Sequence, residues 1–246
     1  DKNFSCEPVC VAVQHDKKRV AFTLAEVLIT LGIIGIVAAV TIPTLMKNYQ
    51  DRVTITTLKR TYSDLSQALK YAEIQQENLF GLGRMEVFDL IKDHLKVAKM
   101  CEVDGRECWA PNQWNLNGNF DKVAHYGNTF CSSGSGAGPA FVLSNGVAVC
   151  MNGFGGGLSA QTARNGFGVK LSSNTTRLFM FYVDVNGYKK PNTNGRDVFA
   201  FIYTDAGLIP SGKDYPERCL ADLKSTSTTG GYSCTAKVLT ENKINY

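Results

Sequence analysis

Histidine is scarce in this chain, and a strong net charge is absent. The 246 residues include three histidines, and 26 basic side chains against 22 acidic ones leave a formal net charge of +4. A charge this small gives no indication of a nucleic-acid partner. No cysteine pair has the two-residue spacing of a zinc site, and His94 and His125 lie in no ligand pattern. His125 precedes Cys131 by six residues, but the sequence offers no third residue that would orient the histidine as a catalytic base. We therefore expect no enzymatic activity.

One long apolar run dominates the N-terminal part of the chain. From Phe22 to Ile42, 21 residues contain a single charged side chain, that of Glu26. A helix of this length spans about 30 Å, which is the hydrocarbon thickness of a bilayer. Basic residues at 17–19 precede the run, and the positive-inside rule then places the N-terminus in the cytoplasm and the rest of the chain outside.

Three interpretations of this run compete. A signal peptide fits the basic cluster, but the small residues of a cleavage site are poorly placed after Ala38. A plain signal anchor fits the length. Neither explains Glu26, because an acid inside an apolar helix costs about 2.5 to 3.5 kcal/mol on insertion scales. Cleavage between Ala21 and Phe22 would create an α-ammonium one helical turn before Glu26, on the same chain or on a neighbouring copy.

The stretch AFTLAEVLITLGIIGIVAAVTIPTL resembles the N-terminal cleavage and methylation segment of type IV prepilins and type II secretion pseudopilins. The resemblance implies that a prepilin peptidase cuts between Ala21 and Phe22 and methylates the new N-terminus of Phe22. Ala21 stands where the family usually has glycine, and both residues are small. The implied assembly residues are Phe22, Glu26 and Pro43.

The same resemblance implies a place in the cell and a set of partners. The subunit would sit in the inner membrane as a single-pass protein, N-in and C-out, with its head in the periplasm or exposed on an assembled filament. Its partners would be other pilin or pseudopilin subunits, the prepilin peptidase, an inner-membrane assembly platform and, before assembly, the lipid bilayer.

Helical periodicity continues beyond the apolar run. Proline at 43 lacks a backbone donor and is expected to kink or locally melt the helix. After it, apolar residues recur at steps of four, three, four and three, which predicts one helix from Phe22 to Gln76. These apolar residues are Leu58, Tyr62, Leu65, Leu69 and Ala72. The predicted parts are a leader (1–21), a membrane and filament-core helix (22–43), its amphipathic continuation (44–78) and a globular head (79–246).

The head is predicted to be α+β, with the long helix packed on an antiparallel sheet. A second helix is expected from Met85 to Lys99, where apolar residues share one face. Asn145 and Gly146 predict a tight hairpin turn. Two strands follow, at about Arg177 to Val185 and Asp197 to Thr204, and then a bend to Gly207. The glycine-rich stretches SSGSGAGP and NGFGGGLSAQTARNG carry no phosphate-binding lysine and are predicted to be surface loops.

Six cysteines lie beyond the predicted cut. The nearest-neighbour scheme is one of fifteen pairings that six cysteines allow, and the oxidising side of the membrane favours disulfides. It pairs Cys101 with Cys108, Cys131 with Cys150, and Cys219 with Cys234.

One segment of the head concentrates the oxygen donors that calcium prefers. The candidate ligands in VDVNGYKKPNTNGRD are Asp184, Asn186, Asn192, Asn194 and Asp197. The stretch resembles a loop of pseudopilin-like heads, some of which hold a calcium ion. The alternative is ordinary turn chemistry, in which Asn and Asp cap backbone donors.

Taken together, the sequence predicts a non-enzymatic filament subunit of the type IV pilin superfamily. The alternative is a single-pass, membrane-anchored binding module, in which a receptor or adhesin head stands on a helical stalk. The two differ at the N-terminus, because the filament subunit would lose residues 1–21 and the anchored module would keep them.

Overall fold

The computed structural model describes residues 22–76, 78–101, 107–110, 112–119, 139–154, 160–171, 178–219 and 230–246. The chain divides into two compact units, Asp1–Lys47 and Asn48–Tyr246. In the first unit the described residues are almost entirely helical, and the second carries the described strands and the shorter helices. The predicted leader, Ala21 included, lies outside the described residues.

The long N-terminal helix, α1, spans Leu24–Gln75 and confirms the prediction of one helix through this region. Helical structure continues through Pro43, which corrects the expectation of local melting. The hydroxyls of Thr41 and Thr44 donate to main-chain carbonyls one turn earlier, at 2.9 and 3.4 Å. These bonds supplement the backbone hydrogen bonding around the proline. A bend at Pro43 stays a prediction.

Within the second unit, α1 buries an apolar stripe at helical spacing. Tyr62 contributes its ring, which stacks on Phe201 at 5.2 Å, and its hydroxyl, which donates to Leu208 O at 3.0 Å. The predicted stripe is therefore confirmed as the face that packs on the sheet. The buried residues on this face are Ile55, Leu58, Thr61, Leu65, Ala68, Leu69 and Ala72.

Six strands form one antiparallel meander in which each strand pairs with the next along the chain. The predicted α+β class is therefore confirmed. Every residue of the central β4 and β5 is buried, so both faces of the sheet are covered. The strands are β1 Val97–Cys101, β2 Ala140–Leu143, β3 Ala148–Phe154, β4 Leu178–Asp184, β5 Val198–Thr204 and β6 Gly207–Pro210.

The alternation of side chains along each strand divides the core into two layers. On β4, Phe179, Phe181 and Val183 join the layer that contains the buried face of α1. Met180 and Tyr182 join the opposite layer. Complete burial of one such side chain contributes about 1.5 to 3 kcal/mol, so the two layers are the main stabilising feature of the head.

Both predicted turns are confirmed. Gly146 adopts φ +86°, and Asn145 Oδ1 accepts a hydrogen bond from Val147 N at 3.2 Å, which closes the turn between β2 and β3. Gly207 adopts φ +89° at the bend between β5 and β6. Glycine suits both sites because a side chain is strained at positive φ.

The predicted helix from Met85 to Lys99 is wrong in its second half. Helix α2 spans Arg84–Lys92, and His94 N then donates to Ile91 O at 3.0 Å in the tighter bonding that ends a helix. Residues from Val97 onward form β1, where Met100 lies opposite Phe141 of β2. Pairing with β2 therefore outweighs the helical periodicity of this segment.

One of the predicted loops contains a helix. Helix α3 spans Ala160–Phe167, inside the stretch expected to be a surface loop. Ala163 and Phe167 are buried one turn apart, and the Phe167 ring stacks on Tyr232 at 5.5 Å. A short helix, α4, spans Thr235–Glu241 near the C-terminal end. Most of SSGSGAGP lies outside the described residues.

Two disulfides of the nearest-neighbour scheme are present. Cys101 is bonded to Cys108, and Cys219 is bonded to Cys234 across 15 residues. Cys150 is disulfide-bonded as well, while Cys131 lies outside the described residues. The first of these disulfides joins the end of β1 to the loop that follows it, and the second joins the start of α4 to an earlier loop. Both restrain loop segments that have little regular secondary structure.

Candidate functional site

The first unit presents an apolar helical surface with almost no cover. Leu24 is 77% exposed, Ile36 is 71% exposed and Val40 is 70% exposed. Among the described residues, α1 is the one helix long and apolar enough to cross a membrane, and its most apolar window has no buried part. The chain is therefore compatible with a single-pass membrane-anchored protein.

Glu26 has a local partner at the start of α1. Its Oε2 accepts hydrogen bonds from Thr23 N at 2.9 Å and from Thr23 Oγ1 at 2.8 Å, and Glu26 N donates to Thr23 Oγ1 at 3.2 Å. This is a capping box, in which Thr23 is the N-cap and Glu26 is the third helical residue. The acid therefore satisfies donors that the first turn of a helix leaves without partners.

The capping box revises the view of Glu26 as a carboxylate without a partner. The sequence signal for this role is the T-x-x-E pattern that begins at Thr23. Phe22 is 79% exposed and directly precedes the cap. Of the predicted processing and assembly residues, Glu26 thus lies in the first turn of α1 and Phe22 lies directly before the N-cap.

The second candidate site is the loop from Asp184 to Asp197, which we call the carboxylate loop. It leaves β4 at Asp184 and enters β5 after Asp197, and Val185 N donates to Asp197 O at 2.9 Å at its base. Asp184 is 1% exposed and Asp197 is 3% exposed. Two acids are therefore buried where adjacent strands meet.

Asp197 organises the loop through its own side chain. Its Oδ2 accepts from Asn192 N at 2.7 Å and from Asn186 Nδ2 at 3.0 Å, and its Oδ1 accepts from Thr193 N at 2.5 Å. Burial raises the pKa of Asp197, although these donors lower it. The carboxylate of Asp197 therefore acts as an acceptor for main-chain groups of the loop.

Asp184 has fewer donors and is the more perturbed acid. Its Oδ1 accepts from Asn186 N at 3.2 Å. Burial, and then the negative charge of Asp197, raise the pKa of Asp184 to about 8, against the opposing effect of N–H donors from Asn186 and Gly187. Near neutral pH, the buried Asp184 consequently needs a proton or another positive charge close to it.

The amide of Asn192 completes an oxygen-rich cluster. This residue is 7% exposed and has φ +50°. One terminal amide atom lies 3.1 Å from Asp184 Oδ2, 3.1 Å from Gly187 O and 3.0 Å from Lys189 O. With nitrogen at that position the amide donates to the loop. With oxygen there, four oxygens face one another with no donor among them.

The donor set fits a hard cation such as calcium. Calcium takes carboxylate, amide and main-chain oxygens, which are the groups that converge at Asp184 and Asn192. The Oδ1 atom of Asn186 is also buried and has no hydrogen-bond partner. Within the described ranges, no three His, Cys, Asp or Glu side chains cluster as metal ligands, so amide and main-chain oxygens would complete the set. A bound ion would neutralise the two acids and stabilise the loop.

Asn194, the remaining predicted ligand, has a different role. Its amide nitrogen donates to Asn115 Oδ1 at 3.1 Å, and its Oδ1 accepts from Gln113 Nε2. The side chain is fully buried. Asn194 therefore joins the carboxylate loop to the segment 112–119 and contributes no oxygen to the cluster.

Comparison with protein-family profiles, curated proteins and solved structures finds no match to this chain.

Proposed function

We propose that this chain is a filament subunit of the type IV pilin superfamily, held in the inner membrane by α1 until assembly. The observation that carries the proposal is the FTLAE motif at the start of an exposed apolar helix that joins a disulfide-bonded α+β head. Exposed apolar side chains over residues 22–47 require lipid or other apolar helices around them. Removal from lipid into a helical bundle exchanges one apolar environment for another.

Processing would change the electrostatics of the first helical turn. A cut between Ala21 and Phe22 leaves Thr23 in place, so the capping box can persist in the mature chain. It also adds an α-ammonium directly before Thr23, close to the carboxylate of Glu26. In this proposal Glu26 has two sets of partners, its own helix start and the amine of a neighbouring subunit.

The two roles of Glu26 can be separated by substitution. Glutamine at the third helical position still completes a capping box but carries no charge. Glu26→Gln should therefore preserve the start of the helix and abolish charge pairing, whereas Glu26→Ala removes both. Thr23→Ala is the matched control, because it removes the N-cap and keeps the acid, at a cost of about 1 kcal/mol in helix stability.

The experiment expresses each full-length variant in the native host and measures intact mass in the membrane fraction and filaments in a sheared fraction. We expect the unsubstituted chain to begin at N-methylated Phe22. Glu26→Gln and Glu26→Ala should both be processed and fail to assemble, while Thr23→Ala should assemble. Filaments at unsubstituted levels from Glu26→Gln would show that the charge has no role in assembly.

The second candidate is a membrane-anchored binding module, which the exposed apolar helix also supports. It requires residues 1–21 to remain on the chain in the native membrane. Recovery of the intact leader, with no filament-associated form, would favour this function over the filament subunit.

A further inference from the structure

A cavity of about 470 Å³ lies beside the carboxylate loop, between that loop and the segment 112–119. Trp114 lines one wall, and Lys190, Pro191, Thr193 and Arg196 are among the residues of the other. All of these residues belong to the second compact unit. We call this cavity the Trp114 pocket.

The main chain of the pocket is held in place by paired hydrogen bonds. Trp114 N donates to Asn192 O at 2.9 Å, and Asn194 N donates to Trp114 O at 2.8 Å. Buried amides of Asn115 and Asn194 join the same two segments. A preformed wall of this kind is typical of ligand sites, because little order has to be created on binding.

The Trp114 side chain is partly exposed on this fixed backbone. It is 41% exposed, whereas Trp109 on the same segment of sequence is 5% exposed and donates its indole N–H to Gln113. An exposed indole next to a cavity offers a flat apolar surface for stacking. The head thus has one buried tryptophan that belongs to the core and one that borders the cavity.

The described residues that line the pocket carry a net positive charge. Lys190 and Arg196 contribute cations, and none of the described residues that line it carries a negative charge. The nearby acid Asp197 has its oxygens directed to N–H groups of its own loop. Arg196 donates from Nη2 to Tyr246 O at 3.0 Å, which orients the guanidinium and leaves it further donors.

We propose that the Trp114 pocket binds an acidic saccharide. The carboxylate of a uronic acid would pair with Lys190 and Arg196, and the apolar C–H face of its ring would stack on Trp114. The hydroxyl of Thr193 donates to Pro191 O at 3.4 Å, so its oxygen can still accept from a sugar hydroxyl. The pocket therefore matches the charge, the apolar face and the polar edge of one ring.

A nucleic-acid strand fits the pocket less well. Binding of single strands generally uses several aromatic platforms along a basic groove. Among the described lining residues, one exposed indole and two cations border a cavity of limited size. The saccharide assignment does not depend on filament assembly, since it concerns the head alone.

The test titrates the full-length chain in detergent micelles with trigalacturonate, neutral maltotriose and the trinucleotide d(TTT). Binding is followed by protection of Trp114 from acrylamide quenching, with calorimetry as the second measurement. Trp109 is buried and provides the constant background. We expect saturable binding of trigalacturonate with a Kd below about 1 mM and no saturation with maltotriose.

Two pairs of variants assign the site. Lys190→Gln and Trp114→Leu should each weaken trigalacturonate binding at least about fivefold, because a charge-assisted contact or a stacking surface is lost. The matched controls, Lys189→Gln and Tyr188→Leu, replace exposed residues of the same loop outside the cavity lining and should change the Kd less than about twofold.

Four outcomes would overturn the proposal. They are equal binding of maltotriose, tighter binding of the trinucleotide, no saturable binding of trigalacturonate, and control variants that weaken binding as much as the test pair.

Discussion

Asp184→Asn should make the stability of the head less dependent on pH. The pKa of Asp184 is raised to about 8 in the folded chain by burial and by Asp197, and its ordinary value is 3.8. Because the folded state favours the protonated acid, its stabilising contribution is complete below about pH 3.8 and is lost as the pH rises through about 8. Asparagine keeps a similar shape and cannot ionise.

The size of the effect follows from the shift in pKa. Within this window each pH unit changes the free energy of unfolding by at most about 1.4 kcal/mol for one group. Between pH 5.5 and pH 7.5 the unsubstituted chain should therefore lose up to about 3 kcal/mol relative to Asp184→Asn. The variant removes the contribution of Asp184 only, because Asp197 remains and its own burial still raises its pKa.

The assay is urea unfolding of the full-length chain in detergent with its disulfides intact, followed by near-ultraviolet circular dichroism. Asp205→Asn is the matched control, because Asp205 is an exposed acid in the bend before β6. In Asp205→Asn the free energy of unfolding should change with pH as it does in the unsubstituted chain. A second series adds calcium at pH 7.5, where a bound ion stabilises by about 2.7 kcal/mol at a hundred times its Kd.

Two results would refute this reasoning. If the free energy of unfolding depends on pH as steeply in Asp184→Asn as in the unsubstituted chain, Asp184 does not titrate in this range. An equal change in Asp205→Asn would show that the effect is not specific to the buried acid. Calcium should stabilise the unsubstituted chain and leave Asp184→Asn almost unaffected. If calcium stabilises neither, the oxygen cluster is held by the Asn192 amide and not by a cation.

Two further predictions concern packing and backbone geometry. Leu65→Ala should lower the free energy of unfolding by about 2 to 5 kcal/mol because Leu65 is fully buried, while Ile74→Ala, at an 81% exposed site of α1, should stay within about 0.5 kcal/mol in the same urea experiment. Gly212→Ala should be far more destabilising than Gly207→Ala in thermal unfolding. Both glycines have φ near +89°, but a Cβ at 212 would lie 1.9 Å from Ser233 O, whereas the space at 207 is open. An equal loss of stability in the two leucine and isoleucine variants, or in the two glycine variants, would contradict the structure.

Several features of the fold could be predicted because a local pattern was sufficient. The spacing of Leu58, Leu65 and Leu69 determines which face of α1 is buried, and the structure buries that face. Asn145 and Gly146 specify a tight turn by their own conformational preferences, and the hairpin is present. The chemistry of the carboxylate loop was also evident from its composition, although its geometry was not.

Other features could not be predicted, since distant partners determine them. The segment after α2 has helical spacing, but pairing with β2 makes it a strand. The buried ring of Phe167 stacks on Tyr232, which lies 65 residues later in the sequence, and a short helix forms in glycine-rich sequence. The capping role of Glu26, by contrast, has a local signal in the sequence, the T-x-x-E pattern from Thr23.

The sequence alone determined the long helix, its apolar and amphipathic halves, the β2–β3 hairpin and the strands β4 and β5, because periodicity and turn chemistry act over a few residues. Tertiary structure alone decided which donors satisfy the buried acids, where Asn194 directs its amide and which tryptophan borders a cavity. Those outcomes depend on groups far apart in the chain, which only folding brings within hydrogen-bonding distance.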